Sequence, residues 1–426
     1  MNKHLTSKLL TLLLLLFFVA CSNEETPWKE PSTKTGRLTN VITETSLTKE
    51  DLAEMVVNFV AGQGITLSVE FVTILMRDVD VAAIEYNTTG VNGETITASG
   101  IIAMPQGTTS YDHLVSIQHG TLNMEEAPSK QLFYYEMLPV ICGHVIVMAD
   151  YLGYGSSQTP DLQHPYLHNQ LTGTACADMI EAAREYLQQK SLTETDDAIE
   201  LMGYSQGGQA SMATLFELER RELTESVRAV YAGGGPYDLE SILQTFLAYK
   251  DNPLPYARTG YATYLIRGMV YGEQLEVSDE KLYAPEVIEQ GLNEMFSTRP
   301  LFEWHEALGT DITQVIHPDF FAAPTFNGNA DVIAVIEALR KNSLINSSIQ
   351  PQVPVYLYHS PQDDFVPYDN AVNAHNLWSS STLTDLSMPG HVLGGIEFML
   401  RYMGLWELVG PMLGIDTYTT NQHRTT

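Results

Sequence analysis

A serine lies between two glycines where a predicted strand meets a predicted helix, in the run Gly-Tyr-Ser-Gln-Gly at residues 203–207. The apolar residues 199–202 before it indicate a strand, and apolar residues at helical spacing follow it. Small flanking residues permit a sharp turn that holds the Ser205 hydroxyl away from the sheet, and the following helix offers free N–H groups to an oxyanion. The pattern predicts a nucleophilic serine. The alternative is a glycine-rich turn without chemistry.

A serine hydroxyl is a poor nucleophile near neutral pH, so it needs a base, and the base needs an orienting acid. Asp363 follows a predicted strand at 353–358, in a loop closed by Val-Pro where a carboxylate can meet an imidazole. His391 lies in a Met-Pro-Gly-His loop just before the last predicted helix. Asp364 is the alternative acid, or both carboxylates could only cap the next helix, and His391 could be a helix-terminal residue without a role.

Two backbone N–H groups are expected to bind the oxyanion. The first belongs to Gln206, which directly follows the serine. The second belongs to Thr121, because the predicted strand 113–118 ends in the glycine turn His119-Gly120-Thr121. An ordinary strand-ending turn is the alternative for this second position.

The composition limits the class of partner. The 426 residues are 44% hydrophobic and 17% charged, which suits a folded protein with a large core. The formal net charge of −30 at pH 7 argues against nucleic acid as a partner, because phosphates would be repelled. It argues equally against electrostatic docking on anionic lipid.

The N-terminal residues 1–20 are predicted to be a signal peptide. Two lysines precede the apolar run 9–20, which is too short to cross a bilayer comfortably. The run ends in Phe-Val-Ala before Cys21, which resembles the lipobox of bacterial lipoproteins, where that cysteine is lipidated. An ordinary signal peptide that contains a cysteine is the alternative. Loss of residues 1–20 removes two lysines and no acids, so the mature net charge is −32.

The polar residues that follow suggest how the protein is held. Residues 21–46 are rich in Ser, Thr, Glu and Pro, so we predict a lipid anchor followed by a disordered tether. The membrane would then be a partner through this anchor. The predicted location is the cell envelope, at the outer membrane and on its periplasmic or surface-exposed face.

The order of elements beyond the tether predicts an α/β fold with a mostly parallel central sheet. A helix capped by Thr48 comes first, and a hairpin over 79–104 suggests an antiparallel N-terminal edge. Strands then alternate with amphipathic helices, as in βαβ units. We assign residues 47–240 and 351–415 to one catalytic domain.

The insertion at residues 241–350 is rich in aromatic residues, and prolines interrupt its helical stretches. Its position predicts a helical cap over the site, with a small structural subdomain as the alternative. We expect bulky cap aromatics such as Trp304 to set substrate preference.

Cysteines and histidines outside these motifs give weaker signals. Cys142 and Cys176 could form a disulfide or remain buried free thiols. His164 and His168 are four residues apart, a spacing that can bind zinc on a helix face, but no third ligand is evident. We therefore expect no metal and no cofactor, and we assign both histidines to loop positioning or to the site entrance.

Several motifs together resemble an α/β-hydrolase of the secretory-lipase-like group over roughly residues 75–410. They are the serine turn at 203–207, His119-Gly120, Asp-Tyr-Leu-Gly-Tyr-Gly at 150–155, His-Pro-Tyr-Leu-His at 164–168 and Gly-Gly-Gly-Pro-Tyr-Asp-Leu at 233–239. The chain order Ser, Asp, His is also that of α/β-hydrolases. The resemblance implies the α/β-hydrolase fold, serine esterase or lipase chemistry, and a cap at the insertion.

These patterns lead to one hypothesis of function. We expect a serine hydrolase that cleaves carboxylic esters through Ser205, His391 and Asp363 and an acyl-enzyme intermediate, with a small-molecule, glycan or lipid ester as substrate. An acyltransferase or a peptidase on the same three residues remains open, and so does a surface binding protein without catalysis.

Overall fold

The computed structural model describes residues 36–159, 163–253, 258–292, 299 and 301–412. The chain divides into two units, residues 1–36 and 37–426, and the central sheet and its helices belong to the second. Cys21 and the predicted signal peptide lie outside the described residues. Among the residues that the structure describes, no helix is long and apolar enough to cross a membrane.

Nine strands form the main sheet, in the order β1-β2-β3-β5-β4-β6-β7-β8-β9. The pairs along β1-β2-β3-β5 are antiparallel, and every later pair is parallel. The predicted mostly parallel sheet with an antiparallel N-terminal edge is therefore confirmed. The strands are β1 (Leu38–Leu47), β2 (Val79–Thr89), β3 (Thr95–Pro105), β4 (Leu114–Gln118), β5 (Val145–Ala149), β6 (Ile199–Tyr204), β7 (Val227–Gly233), β8 (Val355–His359) and β9 (Ser381–Asp385).

Helices cover both faces of this sheet, because its strands alternate their buried side chains between two cores. One core contains Ala82 and Ile84 with helices α4 and α5, and the other contains Val81 with α1 and α12. The helices are α1 (Lys49–Gly62), α2 (Val69–Leu75), α3 (Pro128–Gln131), α4 (Asn169–Gln189), α5 (Gln206–Arg220), α6 (Leu239–Leu247), α7 (Arg258–Gly272), α8 (Pro285–Glu289), α9 (Leu301–Leu308), α10 (Ala330–Asn342), α11 (Asp369–Leu377), α12 (His391–Tyr402) and α13 (Trp406–Met412).

The predicted tether at 21–46 is too long, because β1 occupies residues 38–47. This strand pairs antiparallel with β2, and the Glu185 carboxylate accepts hydrogen bonds from the backbone N–H groups of Arg37 and Leu38. An edge strand with one solvated face needs few apolar residues, so its composition is similar to that of a disordered segment. The predicted tether residues 21–35 lie outside the described part of the chain.

The segment between β7 and β8 holds helices α6 to α10, as a helical insertion requires. Trp304 is fully buried within this insertion, and its indole N–H donates to the Thr263 hydroxyl at 3.3 Å. Helix α7 approaches the segment at 164–168 through two glycines: a Cβ at Gly268 would meet Tyr166, and one at Gly272 would meet the His168 ring. The backbone of α7 therefore contacts the Tyr166 backbone and the His168 ring directly, with no side chain of α7 between them.

Candidate active site

The predicted serine turn is present between β6 and α5. Ser205 has φ 59° and ψ −125°, a backbone conformation that costs energy for a residue with a side chain. Its N–H donates to the Gly233 carbonyl at 2.9 Å, which ties the turn to strand β7. A Cβ at Gly203 would overlap the Gly207 carbonyl, and a Cβ at Gly207 would overlap the Gln118 carbonyl. Glycine is thus required at both positions.

Asp363 and His391 are in direct contact. The His391 Nδ1 lies 2.6 Å from Asp363 Oδ2, and the Asp363 side chain has no exposed surface. Asp363 Oδ1 accepts hydrogen bonds from the backbone N–H groups of Phe365 and Val366, each at 2.8 Å. Because a carboxylate oxygen only accepts, Nδ1 is the ring nitrogen that donates in this bond.

The environment of Asp363 favours its ionised form. Burial by itself would raise the pKa of this carboxyl, but the neighbouring His391 and His359 imidazoles outweigh burial and hold the pKa well below its usual range. His359 Nε2 lies 3.4 Å from Asp363 Oδ2. A buried carboxylate therefore faces the His391 ring at neutral pH.

Asp364 has a different position from its neighbour. It is exposed, and its Oδ1 accepts a hydrogen bond from the His391 backbone N–H at 2.9 Å, at the start of α12. Of the two adjacent carboxylates, Asp363 is the one bonded to the imidazole.

Ser205 and His391 line one cavity of about 40 Å³. The rest of its wall is largely apolar and comes from both the insertion and the chain on either side of it: Tyr166, Leu167, Pro236, Ile242, Phe246, Tyr261, Leu265, Phe365 and Val366. The Phe365 ring lies between those of His391 and Tyr261, with centroids 5.3 Å and 5.6 Å away. Trp304 is not among the residues that line this cavity. It is buried in the core of the insertion itself, so any effect of Trp304 on substrate preference would be indirect.

Gln206 begins α5 and is held by a buried histidine. Its side-chain Nε2 lies 2.8 Å from His164 Nε2, and His164 Nδ1 lies 2.8 Å from the Leu152 carbonyl. Burial lowers the pKa of His164 to about 3, so the ring is neutral and donates to Leu152 while it accepts from Gln206. This link was not predicted from the sequence. The His-Pro-Tyr-Leu-His run marks His164 as unusual but does not reveal its partner.

Thr121 follows β4 in a turn that lies against the serine turn, because Gly207 closely approaches the Gln118 carbonyl. The Thr121 hydroxyl lies 2.8 Å from the Tyr166 hydroxyl. His119 Nδ1 lies 2.7 Å from the Gly120 carbonyl. The structure thus brings both predicted oxyanion residues, Gln206 and Thr121, to the same end of the sheet as Ser205.

The cysteines and the histidine pair form neither a disulfide nor a metal site. Cys142 and Cys176 are both free thiols, the first exposed and the second buried. His168 is the N-cap of α4 and His164 precedes it, so the two do not share a helix face. In the described part of the chain, no group of three or more His, Cys, Asp or Glu side chains could hold a metal ion.

Comparison with known proteins supports the fold. A scan against protein-family models gives no match, and neither does a search of curated proteins. A Legionella pneumophila protein described as a hydrolase matches with a TM-score of 0.71 at 22% identity, over 92% of this chain and 100% of that one. LipA, a rice cell wall degrading esterase from Xanthomonas oryzae, matches with a TM-score of 0.66 at 24% identity, over 87% and 97%. Candida antarctica lipase A matches with a TM-score of 0.59 at 16% identity, over 88% and 82%. The fold is an α/β-hydrolase fold, as predicted.

The Asp363 environment predicts a pH-dependent stability. Asp363→Asn should lower the free energy of unfolding at pH 7 by about 1–3 kcal/mol, because a buried bond between a carboxylate and an imidazole is lost. Folding lowers the pKa of the Asp363 carboxyl. Its contribution to the free energy of unfolding is therefore fully present above the ordinary pKa of 3.8, and it is lost progressively as pH falls below that value. Denaturant unfolding at pH 7 and pH 3 should therefore show a smaller difference between the two proteins at pH 3.

Asp364→Asn is the matched control for this change. Its amide oxygen can still accept from the His391 N–H, and the side chain is exposed, so its cost should stay below ~0.5 kcal/mol. An equal loss of stability in both variants would contradict the distinct positions of the two carboxylates.

Proposed function

We propose that this protein is a serine hydrolase that cleaves carboxylic esters. The observation that carries the proposal is the Asp363–His391 pair at 2.6 Å, whose imidazole lines the same cavity as Ser205 on its strained turn. The solved structures with the same fold support ester chemistry, since their names include a hydrolase, an esterase and a lipase.

In the proposed mechanism, the Ser205 hydroxyl oxygen attacks the ester carbonyl carbon while His391 Nε2 takes its proton. Asp363 holds the ring by Nδ1 and stabilises the imidazolium. The Gln206 and Thr121 N–H groups bind the oxyanion of the tetrahedral intermediate. The C–O bond to the alcohol then breaks, the alcohol leaves with the proton from His391, and an acyl-Ser205 ester remains. A water molecule, deprotonated by His391, cleaves that ester in the second half of the reaction.

The wall of the cavity favours uncharged acyl groups, because most of the residues that line it are apolar. The net charge of −30 disfavours anionic substrates. The LipA description as a cell wall degrading esterase makes esterified glycans a natural set of test substrates beside simple alkyl esters.

The nucleophile provides the direct test. Ser205→Ala should abolish covalent labelling by a fluorophosphonate and lower ester turnover by about 10⁴-fold or more, because base and nucleophile act as one unit. His391→Ala should cost nearly as much, and Asp363→Asn about 10²–10⁴-fold, since it disturbs the tautomer of the base. Asp364→Asn should keep most activity.

Full turnover in Ser205→Ala would falsify the proposal. An unlabelled wild-type protein would favour the binding-protein alternative. Faster cleavage of amide substrates than of ester substrates would favour a peptidase. Transfer of the acyl group to added alcohols in preference to water would favour an acyltransferase.

The insertion should control acyl length through the residues that line the cavity. Phe246→Ala removes a ring from the wall and should raise the ratio of long-chain to short-chain turnover by about tenfold or more, because one methylene in an apolar pocket changes discrimination by about 10–200-fold. Nitrophenyl esters of two to sixteen carbons measure this ratio. Phe321→Ala, in the insertion but outside the wall, is the matched control and should leave the ratio unchanged. Equal ratios in all three proteins would show that the insertion does not select the acyl group.

We also propose that the mature protein is anchored in the cell envelope by a lipid on Cys21. The apolar run that ends in Phe-Val-Ala before this cysteine supports the proposal. Expression in a bacterium fed with labelled palmitate should label the wild-type protein and not Cys21→Ser. A labelled Cys21→Ser protein, or a mature N-terminus other than residue 21, would exclude this anchor.

A further inference from the structure

Glu136 is a buried carboxyl group beside the turn that carries Thr121. It lies in the 3₁₀ segment Tyr135–Cys142, and only 3% of the residue is exposed. Its Oε1 accepts a hydrogen bond from the Gly120 N–H at 3.4 Å. Its Oε2 is buried as well. The proposed mechanism gives this group no task.

The backbone around Gly120 is held from two sides. Glu136 contacts the N–H of the peptide between His119 and Gly120, and the His119 ring contacts the Gly120 carbonyl at 2.7 Å. That carbonyl shares a planar trans peptide with the Thr121 N–H, so the two groups point in opposite directions. Fixing the Gly120 backbone therefore fixes the direction of the Thr121 N–H.

We propose that Glu136 is a positioning residue. In its neutral, protonated form, its side chain accepts the hydrogen bond from the Gly120 N–H and so directs the Thr121 N–H toward the oxyanion. The inference rests on the proposed function, because it assigns Glu136 to the oxyanion-binding turn of the same site. Only the neutral form suits this position. A carboxylate behind an oxyanion donor would oppose the negative charge that develops in the transition state.

The surroundings of Glu136 keep it neutral at physiological pH. Burial raises its pKa to about 8, against the lowering effect of hydrogen bonds from the backbone N–H groups of Glu136 and Gly120 and from the Tyr135 hydroxyl. The titratable groups around it do not change charge near that pH. Burial raises the pKa of Tyr134, Tyr135, Tyr151 and Tyr204 well above the ordinary value, and it lowers the pKa of His119 to about 4. Helix α1 contributes Phe59, stacked on Tyr135.

The test compares the pH dependence of kcat in the wild-type protein, Glu136→Gln and Glu136→Leu. Wild-type kcat should fall on the alkaline side with an apparent pKa near 8. Glu136→Gln keeps a neutral acceptor for the Gly120 N–H, so it should retain most of kcat at pH 7 and lose the alkaline fall. Glu136→Leu removes the acceptor and should lower kcat by about tenfold or more at every pH, with KM changed less than about twofold, because an oxyanion donor acts on the transition state.

Glu200→Gln is the matched control, since Glu200 is a largely buried glutamate at the start of β6, bonded to the Tyr402 hydroxyl. It should leave the pH profile of kcat unchanged. Thermal unfolding gives a second measurement. Wild-type stability should fall as pH rises from about 4.5 to about 8, because the native protein keeps a proton that the unfolded chain loses, and Glu136→Gln should remove this fall.

An alkaline fall of kcat that persists in Glu136→Gln would overturn the inference, even if Glu136→Leu does not fold. The inference would also be overturned if Glu136→Leu had a lower melting temperature but kept the wild-type kcat, calculated per fluorophosphonate-labelled protein molecule. Fluorophosphonate labelling of wild-type Ser205 separates the two proposals. If wild-type Ser205 is not labelled, the proposed function is refuted. If it is labelled and the pH profile of kcat is the same in Glu136→Gln as in the wild-type protein, only the role of Glu136 is refuted.

Discussion

The site depends on the close contact between the serine turn and the end of strand β4. Gly207 lies so near the Gln118 carbonyl that any side chain at 207 would displace one of the two backbones. The contact places the first turn of α5 beside the turn that carries Thr121. On the other side of β6, the Ser205 N–H donates to the Gly233 carbonyl at the end of β7. Three parallel strands therefore meet where Ser205 projects, and the strained φ of Ser205 persists because all of them constrain it.

The same end of the sheet separates two adjacent carboxylates by their surroundings. Asp363 is buried against two imidazoles and two backbone N–H groups, which together compensate for the loss of water around its charge. Asp364 stays in solvent and bonds to the backbone that begins α12. One residue therefore orients the imidazole ring, and the next one fixes the helix from which that ring projects.

Much of this arrangement was predictable because it follows from local patterns. Local signals include the apolar strand before Ser205 and the glycines around it. The chain order of Ser205, Asp363 and His391 can also be read directly from the sequence. The strand β1 was missed because an edge strand and a polar tether have similar composition. The burial of Trp304 and the contacts of His164 and Glu136 were not foreseen, because burial and long-range partners depend on how distant loops meet. No spacing in the sequence pairs residue 136 with residue 120, or residue 164 with residue 206.

The glycine contacts of helix α7 bear on how the insertion transmits movement. Gly268 and Gly272 bring the helix directly against the segment that contains Tyr166 and His168, and the same segment contains His164, which holds Gln206. A contact made by side chains can absorb a displacement by changing rotamers, but glycine has no rotamer to change. At Gly268 the helix meets the backbone of Tyr166, so a displacement of the helix at this point would move the segment at 164–168 itself rather than be taken up by a side chain.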